Sequence, residues 1–259
     1  MLRTLTLFDL ALIAQKSRSV IDIVISTAVQ NYNLWTVASS SPNYVAGKTD
    51  INLTIDNTIG SSTVSGNSLS VPNQFTSGDT ITITNNSTVI GKGGNGGKGG
   101  IFIDFPSPGE SVPGSAILAQ YPVTIINNGT FAGGGGGGGG GNPLQPSPPA
   151  IYAGGGGGGG AGSPGGTGGP GPSPSPGATS LIGSSPGSPG TLTSGGAGGP
   201  AGGGAAPGGP GGGQGADGTT TPSTANSPSP IPGGTRGFYA SGNPLITWQV
   251  TGTRLGRVS

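Results

Sequence analysis

The stretch "INNGTFAGGGGGGGGGNPLQPSPPAIYAGGGGGGGAG", residues 126–162, places nine consecutive glycines at 133–141 and seven more at 154–160, joined by a twelve-residue connection. Glycine loses more conformational freedom on folding than any other residue, so two such runs demand a structural reason. Of the 259 residues 60 are Gly and 25 are Pro, while 7% are charged and 5% aromatic. A close-packed core of large apolar side chains can therefore be built from only a minority of the chain.

The same composition narrows the function. The chain has no Cys and no His, which removes disulfides, thiolate or imidazole metal sites and Cys–His or Ser–His catalysis. Nine basic and eight acidic residues leave a net charge of +1, which gives no electrostatic footprint for nucleic acid and no polybasic patch for lipid. No stretch reaches the ~20 apolar residues of a membrane span. We expect no cofactor, no metal, no nucleic-acid partner and no membrane insertion. The N-terminal "MLRTLTLFDLALIAQKSRS" has a positive start and an apolar run. Asp9 interrupts that run and Ala14-Gln15-Lys16 is a poor cleavage site, which argues against a signal peptide. Leu5, Phe8 and Leu12 recur at helical spacing instead.

Residues 1 to about 90 have ordinary composition and hold the patterns of a small β-rich body. In "VIDIVISTAV" Ile21, Ile23 and Ile25 alternate with Asp22, Val24 and Ser26; in "KTDINLTIDNTIG" Ile51, Leu53 and Ile55 alternate with Asn52, Thr54 and Asp56. Such period-two patterns predict strands with one buried face. In "SLSVPNQFTSGDTITITNNSTVIG" Leu69, Val71, Ile81 and Ile83 are the inward candidates and Ser77-Gly78-Asp79 the turn.

An internal repeat ties this β region to the glycines. "ITITNNSTVIGKGG" from Ile81 aligns with "VTIINNGTFAGGGG" from Val123 at an offset of 123 − 81 = 42 residues. Thr82, Ile83, Asn85, Asn86, Thr88 and Gly91 match Thr124, Ile125, Asn127, Asn128, Thr130 and Gly133. Each unit reads as a strand, an Asn-Asn turn, a short extended piece and a glycine tract. Nothing in a flexible linker would require glycine tracts to follow strands in this fixed way.

Glycine readily adopts the left-handed threefold polyproline II helix, with about 3.1 Å rise per residue and no internal hydrogen bonds. Its N–H and C=O groups then point outwards and must find neighbours. With no side chain in the way, several such helices can approach on all sides and bond to one another. Collagen fails as an alternative, since strict Gly-X-Y is absent from the pure glycine runs.

Seven tracts are legible, at residues 91–100, 133–141, 154–160, 165–171, 195–204, 208–213 and 233–237. If the first two run in one sense, as their shared units imply, both end at a far pole. The third then returns and the fourth goes out. The fifth is expected to return and to reverse at "AAP", and the sixth to go out to "QGADGTTTPSTANSPSPIP". Long connections fall at the far pole and short ones at the near pole. Loops on a rigid scaffold are the usual place for recognition. Candidates there are Ile101, Phe102, Ile103 and Phe105, then Leu144 and Gln145, Leu181 and Ile182, and Thr219, Thr220, Thr221 and Asn226. Near the C-terminus Ile246, Trp248 and Val250 alternate with Thr247 and Gln249 as in a closing strand.

The arrangement "DTITITNNSTVIGKGGNGGKGG", the later tracts separated by loops, and the ending "GNPLITWQVTGTRLGRVS" resemble the glycine-rich adhesins at the tips of tailed-phage fibres. The resemblance implies a mainly β and irregular fold. In it, an N-terminal fibre-attachment segment at 1–40 and a small β-rich region at 41–90 precede a sandwich of packed polyglycine II helices at 91–237 with long loops at one pole. Residues 238–259 close the fold. It further implies a non-enzymatic virion component at the distal tip of the tail fibre. Its partners would be a trimeric tail-fibre protein and a bacterial outer-membrane protein or surface glycan, the latter bound by the far-pole residues. Leu5, Phe8, Leu12 and Trp35 become candidates for fibre attachment. Two other classes stay open: a structural or ice-binding protein built of polyglycine II helices, and a glycan hydrolase using Asp104 and Glu110.

Overall fold

The computed structural model describes residues 18–101, 104–110, 112–147, 150–172, 181–225, 227 and 229–259. Its body begins with β1 (Ser19–Ile25), β2 (Val29–Gln30) and β3 (Tyr32–Asn33), and repeats the trio as β4 (Thr49–Ile55), β5 (Ile59–Gly60) and β6 (Asn67–Val71). A third round comprises β7 (Thr80–Asn85), β8 (Thr88–Ile90) and β9 (Ser115–Ala119), and a fourth opens with β10 (Val123–Asn127) and β11 (Thr130–Ala132). Three short strands then lie outside the body: β12 (Leu144–Ser147), β13 (Ala150–Tyr152) and β14 (Leu181–Ile182). The fourth round is completed by β15 (Phe238–Ser241), and β16 (Ile246–Val250), β17 (Thr253–Leu255) and β18 (Arg257–Val258) make the fifth. Each round lays one strand on each of three five-stranded sheets, and every pairing within them is parallel. The body is a three-sided parallel β-helix of five coils.

The alternating patterns explain the first side. Ile51, Leu53 and Ile55 are fully buried, while Val20 and Val24 on the outer face of β1 are exposed. Like residues stack along the axis, Ile51 beside Ile81, Leu53 beside Ile83 and Ile83 beside Ile125. Each such fully buried aliphatic side chain stabilises by about 1.5–3 kcal/mol. The 42-residue repeat appears as register, with Thr82 opposite Thr124, Asn85 opposite Asn127 and Thr88 opposite Thr130.

A short helix, α1 (Leu34–Ser39), buries Leu34 and Ala38 and is capped by Asn33, whose side chain accepts from the N–H of Thr36 at 3.2 Å. Trp35 on this helix meets Phe75 and Tyr44 edge to face, at ring separations of 5.1 and 5.3 Å. The Tyr44 hydroxyl donates to the Asp79 carboxylate at 2.7 Å. Burial, and then that bond, raise its phenol above the ordinary tyrosine value.

At the first corner of the later coils runs an asparagine ladder. Asn85 Nδ2 donates to Asn127 Oδ1 at 2.9 Å, and Asn127 Nδ2 donates to the carbonyls of Thr251 and Thr253 at 3.0 and 3.2 Å. Both side chains are fully buried. Outside it, Asn128 Nδ2 donates to Asn86 Oδ1 and Asn86 Nδ2 to Asp56 Oδ1, in the open. Asn127→Ala removes one of two acceptors of the Asn85 amide, which keeps Thr130 O at 3.3 Å, and the donor to two carbonyls, and a buried unpaired polar group costs about 1–3 kcal/mol. Chemical denaturation should therefore show a loss of about 2–4 kcal/mol for Asn127→Ala and less than about 0.5 kcal/mol for Asn128→Ala.

The glycine segments leave the β-helix between its second and third sides, after β8 and after β11. Their backbone bonds repeat every three residues. Gly94, Gly97 and Gly100 donate to Gly135, Gly138 and Gly141, while Gly93, Gly96 and Gly99 donate to Pro164, Thr167 and Pro170. Among the described residues ten segments join this array. By the sense of their pairings, 92–100, 133–141, 164–171, 195–200 and 216–221 run outwards, and 106–114, 154–162, 185–191, 207–213 and 231–237 run back.

Residues 154–162 lie at the centre. This segment donates on one face to Gly94, Gly97 and Gly100, on a second to Ser185, Ser188 and Thr191, and on a third to Ala206, Gly209 and Gly212. It accepts from 133–141, from Gly166 and Gly169, and from Gly196 and Gly199, so six neighbours surround it. Only hydrogen side chains permit that approach: a Cβ on Gly157 would lie 2.1 Å from the carbonyl oxygen of Gly138.

The array corrects the expected path. Residues 185–191, read as part of a loop, are a returning segment, and 216–221 an outgoing one. The fifth and sixth glycine tracts therefore run opposite to expectation. Residues 201–207 sit at the far pole, where Gly202 N–H bonds Ala153 O and Ala206 N–H bonds Asn142 O, while Gly215 is at the near pole, bonded to Gly133 O.

Candidate functional site

Outgoing segments end at one pole, and the described parts of five connections gather there: residues 101 and 104–105; 142–147 and 150–153; 172 and 181–184; 201–207; and 221–225, 227 and 229–231. Asn142 fastens three of them together. Its side chain, fully buried, donates to the carbonyls of Pro222 and Ser229 at 2.9 and 3.1 Å and accepts from Ser227 Oγ at 2.8 Å, and its carbonyl receives Ala206 N–H. Thr224 Oγ1 adds a 2.7 Å bond to Pro143 O. No motif announced Asn142; its only sequence signal is the first side chain after nine glycines.

The proposed contact residues sort by exposure. Ile101 is buried at a tight turn in which it exchanges backbone bonds with Asp104. Phe105 is 71% exposed. Thr221 is buried, its hydroxyl donating to Gly140 O at 2.8 Å, whereas Thr219 and Thr220 are exposed. Leu144 pairs with Tyr152 across β12 and β13, and Leu181 and Ile182 pair with Ile151 and Tyr152 across β13 and β14. Those loops thus form one three-stranded surface with Gln145 in β12, and Gly203, with φ +39°, lies directly against the Tyr152 ring. Phe102, Ile103 and Asn226 lie outside the described residues, as do Leu5, Phe8 and Leu12. Trp35 is half-buried in the aromatic corner of α1.

The pole is almost without charge. Lys98 and Asp104 form an ion pair, and the other four connections contain no charged residue. Glu110 accepts a 2.9 Å bond from the N–H of Asn95, so Asp104 and Glu110 each serve a neighbour in the scaffold. Among the described residues no cluster of three metal-ligating acids exists, and no helix is long and apolar enough to cross a membrane. A 210 Å³ depression lined by Thr80, Thr82, Thr124 and Thr247 lies on the outer face of the β-helix, away from these loops.

Comparison with known proteins agrees with this architecture. The family model described as phage tail fibre adhesin Gp38 matches residues 20–259. The crystal structure of the gp37-gp38 adhesin tip complex of the bacteriophage S16 long tail fibre is similar in fold, with a TM-score of 0.58 at 23% identity, covering 93% of this chain and 82% of that one. No curated protein matches.

Proposed function

We propose a host-recognising role for this chain, which belongs to the phage tail fibre adhesin family. Five connections meet at one end of a hydrogen-bonded glycine array, and three of them are cross-tied through Asn142; that single arrangement carries the reading. In it the array is a sandwich of polyglycine II helices, a reading supported by its three-residue bonding period. A stiff platform of this kind lowers the entropy lost when its loops bind.

The far pole contacts the receptor, an outer-membrane protein or surface glycan. Phe105, Thr219, Thr220 and the β12–β13–β14 surface supply contacts, and Ile101, Asn142 and Thr221 hold them in place. The chain sits at the distal tip of the fibre, fixed to the tail-fibre protein at its N-terminal end and working by binding without catalysis. Purified protein added to host cells should then block adsorption of virions that carry it, saturably. Undiminished adsorption at saturating protein would remove the adhesin reading.

A further inference from the structure

The last coil ends the β-helix on a surface unlike the rest of the molecule. Within it Arg254 occupies the register position opposite fully buried Phe131, where an apolar side chain would continue the core. Its guanidinium lies over the rings of Trp248 and Tyr239, at 5.0 and 5.6 Å from their centroids. Arg257 stacks over Phe238 at 4.4 Å, and its buried Nε has no hydrogen-bond partner. Around the two lie Leu245, Val250 and Val258, 36%, 44% and 46% exposed.

Charge decides what fits there. From residue 218 to the end the chain contains Arg236, Arg254 and Arg257 and no acidic residue; Arg236 is held near Asp217, which leaves the two stacked arginines uncompensated. A guanidinium held over an aromatic ring still has its terminal N–H groups to offer an anion, above all a phosphate. Strand addition by a polypeptide is less well served. β16 carries a register shift, and β17 and β18 are three and two residues long, and short irregular edges are poor templates for pairing.

We propose that this C-terminal end is a second contact surface, for phosphate groups of the lipopolysaccharide layer on the bacterial cell, working beside the uncharged far pole. It rests on the adhesin reading and adds to it a division of labour. Charges exposed to solvent act mainly on encounter rate, so the arginines hold the adhesin at the anionic surface while the far-pole loops select the receptor.

The test uses the full-length protein with neutral phospholipid vesicles, with and without lipopolysaccharide. Wild type should bind the lipopolysaccharide vesicles only, and release them as salt rises. Arg254→Gln with Arg257→Gln should weaken that binding by about fivefold per arginine, with an unchanged melting temperature, and the paired Arg→Lys variant should keep most of it. Equal binding by wild type and the Gln variant, or no binding by wild type, overturns the proposal. So does a Gln variant that binds vesicles normally but no longer co-purifies with the tail-fibre protein, since the surface would then be a fibre contact. Whole-cell staining by wild type is measured alongside; staining with vesicle binding absent sinks this inference alone, whereas loss of staining sinks the adhesin reading.

Discussion

Gly158→Ala should lower the melting temperature by about 4–10 °C, the effect of one methyl group in a chain that holds 60 glycines. Gly158 bonds through its N–H to Gly209 O at 2.9 Å and through its carbonyl to Gly138 N–H at 2.8 Å. A Cβ there would lie 2.0 Å from the carbonyl oxygen of Gly196 and 2.6 Å from its carbon. Those are backbone atoms of a segment itself bonded on other sides, so no rotamer change relieves the clash. Overpacking a well-packed interior typically costs about 1–3 kcal/mol, and with only backbone to move the upper end applies. The smaller entropy of an unfolded Ala offsets about 0.4–1 kcal/mol of that.

Gly213→Ala is the matched control. The nearest atom to its Cβ would be Thr193 O at 3.5 Å, ordinary contact, and the same entropy effect should leave the protein unchanged or slightly more stable. Thermal unfolding followed by circular dichroism separates the two. Equal tolerance at both sites would mean that the segments are not close-packed in solution.

The contrast between those glycines explains what was legible in the sequence. Where a segment has neighbours all round, as 154–162 does, every position but Ala161 is Gly, and the run is obvious. A segment at the margin needs glycine only on its inward face. In 164–171 Pro164, Thr167 and Pro170 are exposed while Gly166 and Gly169 are buried. In 185–191 the inward Gly187 and Gly190 alternate with Ser and Pro, so by composition the segment resembles a loop, and taking it as one inverts the path that follows. The β-helix was half visible for a similar reason. Its first side has long alternating strands, and these carry a further repeat of 49 − 19 = 30 and 80 − 50 = 30 residues. Its other sides include strands of only two or three residues, too short for any period to show. Strand faces and the 42-residue repeat followed from local rules. Closure into a helix did not, because coils three and four are interrupted by the glycine segments.

Exchanging the far-pole loops should abolish binding to host cells while leaving the fold intact. The change that tests this replaces Phe102, Ile103 and Phe105 with Ser, and residues 145–149 and 174–182 with Gly-Ser of equal length. It keeps Ile101, Asn142, Thr221 and Ser227, whose buried contacts hold the pole together. Hot-spot residues each contribute about 2 kcal/mol or more, so removing several anchors at once predicts at least a hundredfold loss of affinity, roughly 3 kcal/mol. The near pole supplies the comparison: Leu192, 39% exposed, and Gln214, bonded to Leu192 O at 3.2 Å, lie at its turns. Leu192→Ser with Gln214→Ala should stain cells like wild type. Because the far pole carries one ion pair and no other charge, the binding that is lost should be insensitive to salt, which distinguishes it from any contribution of Arg254 and Arg257. Cell binding that survives the loop exchange with its salt dependence unchanged would move recognition off the far pole and onto the β-helix.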